Sequence, residues 1–243
     1  MYIDDRGIVL QVVRYDDASS VAHVFTRSHG HVSFMVSRPK SRSSAGRAAV
    51  SLLSPLNVLA FQWDLKPRAS MYRMKDVHAA CVWQDLPYHP AKSAMAMLLG
   101  EFLIGALHGE EINEDLFDYI TASFQWLDVA TEQYANFHLV FLLKVARFLG
   151  VAPDDSSYVR GSQFDLESGR FVSMVPSSPY VLTAPDAELF YRLLIADYTT
   201  MASIAMNRSD RVRLLTYVQR FYALHIPGFP ELKSLKVLET LFD

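Results

Sequence analysis

The spacing of apolar residues changes once along this 243-residue chain, near Tyr88, and that change limits the folds open to it. Before it, short runs alternate apolar and polar residues with period 2; after it, apolar residues recur with period 3.6. Gly7–Tyr15, Val21–Arg27, His31–Ser37, Val58–Leu65 and Met71–Val82 are rich in β-branched and aromatic residues and read as five strands. Ser28-His29-Gly30 marks a tight turn, and Lys66-Pro67-Arg68 another. Five strands in so short a stretch, with a long loop after the third, predict a small closed barrel of the OB type.

The second part predicts helices. Met95, Leu98, Leu99, Phe102, Leu103 and Ala106 form one apolar face over Pro90–His108. Asn113 is the expected cap of Glu114–Ala130, and Asn136 that of His138–Leu149, which stops at Gly150. Ala184–Met201 and Asp210–His225 continue the pattern. Pro227 and Pro230 break it before a short amphipathic segment, Glu231–Phe242. The one non-helical interruption, Pro153–Ser178, contains a hairpin signal: Gln163–Val172 places apolar arms around Ser168-Gly169. The expected fold class is α+β. An N-terminal five-stranded OB-type β-barrel, residues 1–83, precedes a mainly α-helical domain, residues 84–243, with a small β-hairpin insertion at about 154–178.

Charge divides the chain in the same place. Residues 1–80 hold eleven Lys/Arg against six Asp, the remainder twelve against twenty acids. From Ala18 to Trp63 there are five basic residues and no acid. A basic barrel on an acidic body implies a polyanion partner for the first part. Arg38, Lys40, Arg42 and Arg47 stand in a Ser/Arg-rich loop, where cations can follow a phosphate backbone and release its counterions. Arg27, Lys66 and Arg68 at the neighbouring turns complete the candidate DNA-binding set. Phe25, Phe34, Phe61, Trp63 and Tyr72 are read mainly as barrel core, some with faces that could stack on unpaired bases.

No catalytic residue is expected. The chain has no Walker glycine loop, no GxSxG elbow and no Cys/His nucleophile arrangement. Asp4-Asp5, Asp16-Asp17 and Asp154-Asp155 are adjacent pairs that suit turns better than a shared metal. His29-x-His31 lacks the further ligands of a tetrahedral site. The single cysteine, Cys81, leaves neither an internal disulfide nor a multi-cysteine zinc site, so no cofactor or metal is expected. No apolar run reaches the roughly 18 residues of a membrane span. The opening residues lack a secretory pattern, and the expected compartment is the cytoplasm.

Taken in order, GIVLQVVRYDDASSVAHVFTRSHGHVSFMV, RPKSRSS, LLSPLNVLAFQW, ANFHLVFLLKVARFLGVAP and LLTYVQRFYALHIPGFPELKSLKVLETLF resemble, nearly end to end, the RecO family of bacterial recombination mediators. The resemblance implies binding of single- and double-stranded DNA, annealing of complementary strands, and work with RecR in loading RecA onto DNA coated by single-stranded DNA-binding protein. It also implies capture of that protein's acidic, Phe-terminated tail by the helical domain. Arg220, His225, Lys233 and Lys236, beside apolar residues, are the candidates for that contact. Many relatives carry four zinc-binding cysteines around the hairpin. Here Asp154–Tyr158 and Ser173–Ser178 hold neither Cys nor His, which places the chain in the zinc-less branch and leaves the hairpin to the packing of Phe164, Leu166, Phe171 and Val172. The alternative reading is an OB-fold adaptor in a repair complex that touches DNA little.

Overall fold

A computed structural model describes residues 2–37, 51–65, 71–107, 109, 112–173 and 178–232. They form two compact units, Met1–Val129 and Ala130–Asp243.

The first unit contains β1 (Tyr2–Arg14), β2 (Ser19–Thr26), β3 (Gly30–Ser37), β4 (Val58–Asp64) and β5 (Met74–Ala79), in the sheet order β3-β2-β1-β4-β5 with antiparallel neighbours. β1 is long enough to serve two partners. Its N-terminal half pairs β4, from Tyr2↔Asp64 to Ile8↔Val58, and its C-terminal half pairs β2, from Gly7↔Thr26 to Arg14↔Ser20. A bulge between Val9 and Gln11, just past the last β4 pair and within the β2 pairing, bends the strand. The ends of the sheet meet through Tyr72, whose carbonyl accepts from Met35 N–H at 2.8 Å and whose N–H donates to Ser33 at 3.1 Å, in a parallel bridge with Phe34. This is the OB-type barrel expected from the five strand signals. β1 starts five residues earlier than alternation indicated. Asp4, Asp5 and Arg6 look like a polar terminus, yet they gain a ladder from β4.

Val9, Ala22, Val24, Val32, Phe34, Leu59, Phe61 and Trp63 fill the barrel. Phe34 meets Phe61 and Trp63 edge-on at 5.2 and 5.4 Å, a favoured aromatic geometry. Gly7 stands where β1 is flanked by both β2 and β4, and a Cβ there would lie 2.3 Å from Val24 Cγ1 and 3.1 Å from the Phe61 ring. Val24 is buried and β-branched, so it cannot swing aside. Gly7→Ala is therefore expected to destabilise the first unit by about 1–3 kcal/mol through overpacking. Denaturant melts followed by tryptophan fluorescence check this, because Trp63, Trp83 and Trp126 all lie in that unit. An unshifted midpoint would contradict the crowding.

After the barrel, the described residues of this unit include two long helices, α1 (Pro90–Ala106) and α2 (Glu114–Val129). Asn113 caps α2 as expected, its Oδ1 accepting from Leu116 N–H at 3.0 Å. Phe25, on the outer side of β2, packs against Phe117 of α2 at 6.3 Å. The segment between barrel and helices is tied down by one carboxylate: Asp128 accepts the backbone N–H groups of Gln84, Asp85 and Leu86 at 2.9, 2.9 and 2.7 Å. The fully buried Lys92 bonds the Asp128 carbonyl at 2.8 Å and the Asp85 carboxylate at 2.7 Å.

The second unit has α3 (Phe137–Phe148), a three-stranded sheet of β6 (Gln163–Asp165), β7 (Arg170–Val172) and β8 (Val181–Leu182), then α4 (Ala184–Ile195) and α5 (Arg208–His225). The β6–β7 hairpin lies where Ser168-Gly169 indicated, and β8 adds an unforeseen third strand. Phe164, buried with Leu166 and Phe171, meets Phe171 and Phe190 at 4.7 Å each and Phe221 at 6.3 Å, so packing binds the hairpin to α4 and α5. Gly150, at φ 71°, ends α3: its N–H donates to Arg147 while Val151 N–H donates to Ala146, a Schellman closure.

Three expectations change here. Asn136 precedes α3 but does not cap it with its side chain; its amide donates instead to the carbonyls of Met201 and Ile204 at 3.0 and 2.9 Å. α4 stops at Ile195 rather than Met201, because Asp197 gathers the N–H and hydroxyl groups of Thr199 and Thr200 into a local turn that competes with the helix. α5 starts at Arg208, two residues earlier than expected, on a capping box between Asn207 and Asp210. Of the amphipathic segment Glu231–Phe242, residues 233–242 lie outside the described residues.

His138 gives this unit a pH dependence. It is buried on α3, and its Nδ1 has no hydrogen-bond partner among the described residues. Burial, and after it the charge of Arg211, pushes its pKa down from 6.5 to about 4. Above pH 6.5 the imidazole is neutral folded or unfolded; between 6.5 and 4 mainly the unfolded chain takes the proton. The second unit is expected to lose up to about 3 kcal/mol over that window, and His138→Phe should flatten the profile. Urea melts by circular dichroism across this range measure it, and an equally steep profile for the variant would contradict the assignment.

Candidate nucleic-acid interface

Of the seven candidate DNA contacts, Arg38, Lys40, Arg42, Arg47, Lys66 and Arg68 lie outside the described residues. Their attachment points are described. The first four follow Ser37 at the C-terminal end of β3, beside the β1–β2 hairpin, where Ser37 pairs with Ser19. Lys66 and Arg68 follow Asp64 at the end of β4, which pairs with Tyr2.

Arg27 is already engaged. Its Nε and one terminal nitrogen donate to the two carboxylate oxygens of Asp118 at 3.0 and 2.9 Å, and the other terminal nitrogen meets Glu114 at 2.5 Å. The hydrogen bond from Arg27 holds the Asp118 carboxyl below its usual range and, with Glu114, raises the guanidinium's own pKa. Nothing in the local sequence around Arg27 announces partners about ninety residues away on α2.

The barrel aromatics separate by burial. Phe25, Phe34, Phe61 and Trp63 are core, so their faces do not reach a base; Tyr72 is half-buried against Trp63 and Phe34. The exposed rings are ones the alternation pattern did not single out. Tyr15 is exposed at the β1–β2 turn, and Tyr2 lies half-exposed with the Lys75 ammonium 4.1 Å from its ring centre. The pairing of Tyr2 with β4 was hidden because β1 reads as starting at Gly7. A ring beside an ammonium can meet a base and its phosphate together.

His29 and His31 do not converge. His29 contacts Ser28 at 2.8 Å and Asp5 at 3.4 Å, while His31 stacks on His23. Among the described residues, no group of three or more His, Cys, Asp or Glu is placed to hold a metal.

Of the tail-contact candidates, Lys233 and Lys236 lie outside the described residues. Arg220 is exposed, with its guanidinium 4.9 Å above the Tyr180 ring. His225 shares a hydrogen bond of 2.9 Å between its Nε2 and the Leu166 carbonyl, and its ring packs on Phe221 at 4.2 Å. Five residues apart on one helix, the two point about 140° from each other and do not form one rim. His225 and Phe221 instead border an open cavity of about 550 Å³ with Val151, Gly169 and the Asp154–Arg170 ion pair.

Known proteins match this sequence along nearly its whole length. The family model described as Recombination protein O N terminal covers residues 1–80, and that described as Recombination protein O C terminal covers residues 88–236. The chain is 41% identical over 237 residues to the DNA repair protein RecO of Phocaeicola vulgatus, with 98% of each chain covered. It is 39% identical over 238 residues to that of Bacteroides fragilis, again with 98% of each covered. Against the DNA repair protein RecO of Christiangramia forsetii the identity is 33% over 242 residues and the full length of both. With both family models matched and the relatives aligned end to end, the chain belongs to the recombination protein O family of DNA repair and recombination proteins.

Proposed function

We propose that this protein binds single- and double-stranded DNA, anneals complementary strands and, with RecR, helps load RecA onto DNA coated by single-stranded DNA-binding protein. The observation that carries the reading is the acid-free basic stretch attached to β3 of an OB-type barrel, in a chain of this family. Arg38, Lys40, Arg42 and Arg47, with Lys66 and Arg68, would supply phosphate contacts that any sequence offers. The DNA-binding part is residues 1–83. Residues 84–243 serve protein recognition: an acidic, hydrophobic-ended tail would be met by His225 beside the cavity that it borders, with charge from Lys233 and Lys236, while Arg220, turned to another side of α5, would contribute only if the tail wraps around the helix. His225, held by Leu166, shapes that surface while the lysines carry charge to it. No bond is broken: the protein works by differential binding as an accessory factor and not as an enzyme, in the cytoplasm where its DNA lies. The test is annealing of complementary oligonucleotides coated with single-stranded DNA-binding protein. The whole chain should accelerate it and should retain RecR and the coated DNA in a pull-down. No acceleration and no retained DNA would remove the proposal.

A further inference from the structure

The ion pair at Arg27 bears on which part of the barrel meets the polyanion. All three guanidinium nitrogens are taken up by Asp118 and Glu114, so an incoming phosphate meets one positive charge flanked by two negative ones. Asp115, exposed on the same first turn of α2, adds a third negative charge. The carboxylates cannot withdraw by moving the helix. Leu116 and Phe117 are fully buried, Phe117 packs on Phe25 of β2, and the Arg6 guanidinium sits 5.8 Å from the Phe117 ring centre. Swinging the side chains alone into water would still leave them within a few ångströms of the phosphate, where like charges repel.

Position matters as much as charge. Arg27 precedes β3 and Ser37 ends it, so the guarded turn and the start of the basic stretch lie at opposite ends of an eight-residue strand. At about 3.3 Å per residue that separation is roughly 20–25 Å, beyond the Debye length of about 10 Å at 0.1 M salt. Acids at one end can therefore repel a nucleic-acid backbone locally without weakening its contacts at the other.

The geometry points to Glu114 and Asp118 as an electrostatic guard that takes Arg27 out of the nucleic-acid footprint. This deepens the DNA-binding reading and rests on it. The guard removes Arg27 from contact, while the basic stretch sets how tightly the strand is held.

The test uses the full chain and a labelled polythymidine oligonucleotide. Glu114→Gln with Asp118→Asn should release Arg27 to make one more phosphate contact. The salt slope of binding should steepen by about 0.7, and affinity near 0.1 M salt should rise about fivefold. Adding Arg27→Ala to that background should return both to wild-type values, because the gain belongs to Arg27 and not to the loss of two negative charges. Arg27→Ala alone should leave the slope where it was. No gain in the neutralised variant, a gain that survives Arg27→Ala, or a slope reduced by Arg27→Ala alone would each overturn the guard. Should the double variant fail to fold, Asp118→Asn frees two of the three nitrogens and should show a smaller gain in the same direction; its absence also overturns the guard. A wild type that binds the oligonucleotide beside unresponsive variants sinks the guard alone. A wild type that binds none overturns the DNA-binding reading and the guard with it.

Discussion

Asp128→Ala is expected to cost the first unit about 2–4 kcal/mol. The substitution strips the acceptor from three backbone N–H groups, that of buried Leu86 and those of Gln84 and Asp85 at part-buried hydrogen bonds. It also takes a negative charge from beside Lys92. Lys92→Met should cost much less, since an apolar chain of similar length replaces a buried charge and the Asp85 carboxylate it leaves is half-exposed. Burial alone would raise the Asp128 pKa, but the three backbone hydrogen bonds and then Lys92 outweigh it and the pKa lies below 3.8. Its contribution is therefore complete above the ordinary carboxylate range and is lost only as pH falls through the lowered value. Tryptophan-monitored melts should accordingly hold between pH 6.5 and 4, the window in which His138 weakens the second unit. Equal losses for Asp128→Ala and Lys92→Met would contradict the assignment of the three-donor carboxylate as the tie.

Replacing Arg38, Lys40, Arg42 and Arg47 together with Ala is expected to lower single-stranded DNA affinity on the order of 10²–10³-fold near 0.1 M salt. Each phosphate contact on a single strand contributes about 0.7 to the salt slope, so four lost contacts flatten it by about 2.8. The melting of the first unit should be unchanged, because Arg and Lys side chains in a Ser/Arg-rich stretch are not expected to carry a barrel core built on Phe34, Phe61 and Trp63. Fluorescence anisotropy titrations at several salt concentrations check both parts. Unchanged affinity and slope in a folded variant would remove the basic stretch from the DNA site.

The architecture was readable where burial imposes a period. Ala22 and Val24 face the barrel interior and alternate with His23, which marks β2, and Leu116, Phe117, Ile120 and Phe124 mark α2. It was less readable where a local competitor or a distant partner decides. Asp197 ends α4 by a side-chain turn that helical periodicity does not register, and Asn136, a good cap by residue type, spends its amide on carbonyls more than sixty residues away. The site divides similarly. Charge composition points to the basic stretch, but whether a given cation faces solvent depends on partners such as Asp118, 91 residues from Arg27. Alternating aromatics mark strands without saying which face is core; burial puts Phe34 and Trp63 inside and leaves Tyr2 and Tyr15 outside.

The central claim is that the barrel grips nucleic acid through phosphates, and the salt dependence of single-stranded DNA binding by the whole wild-type chain tests it most directly. With contacts from Arg38, Lys40, Arg42, Arg47, Lys66 and Arg68, log K should fall linearly with log salt at a slope near −4. A slope near zero, or no measurable binding at low salt, would contradict the account and leave a barrel that recognises protein instead.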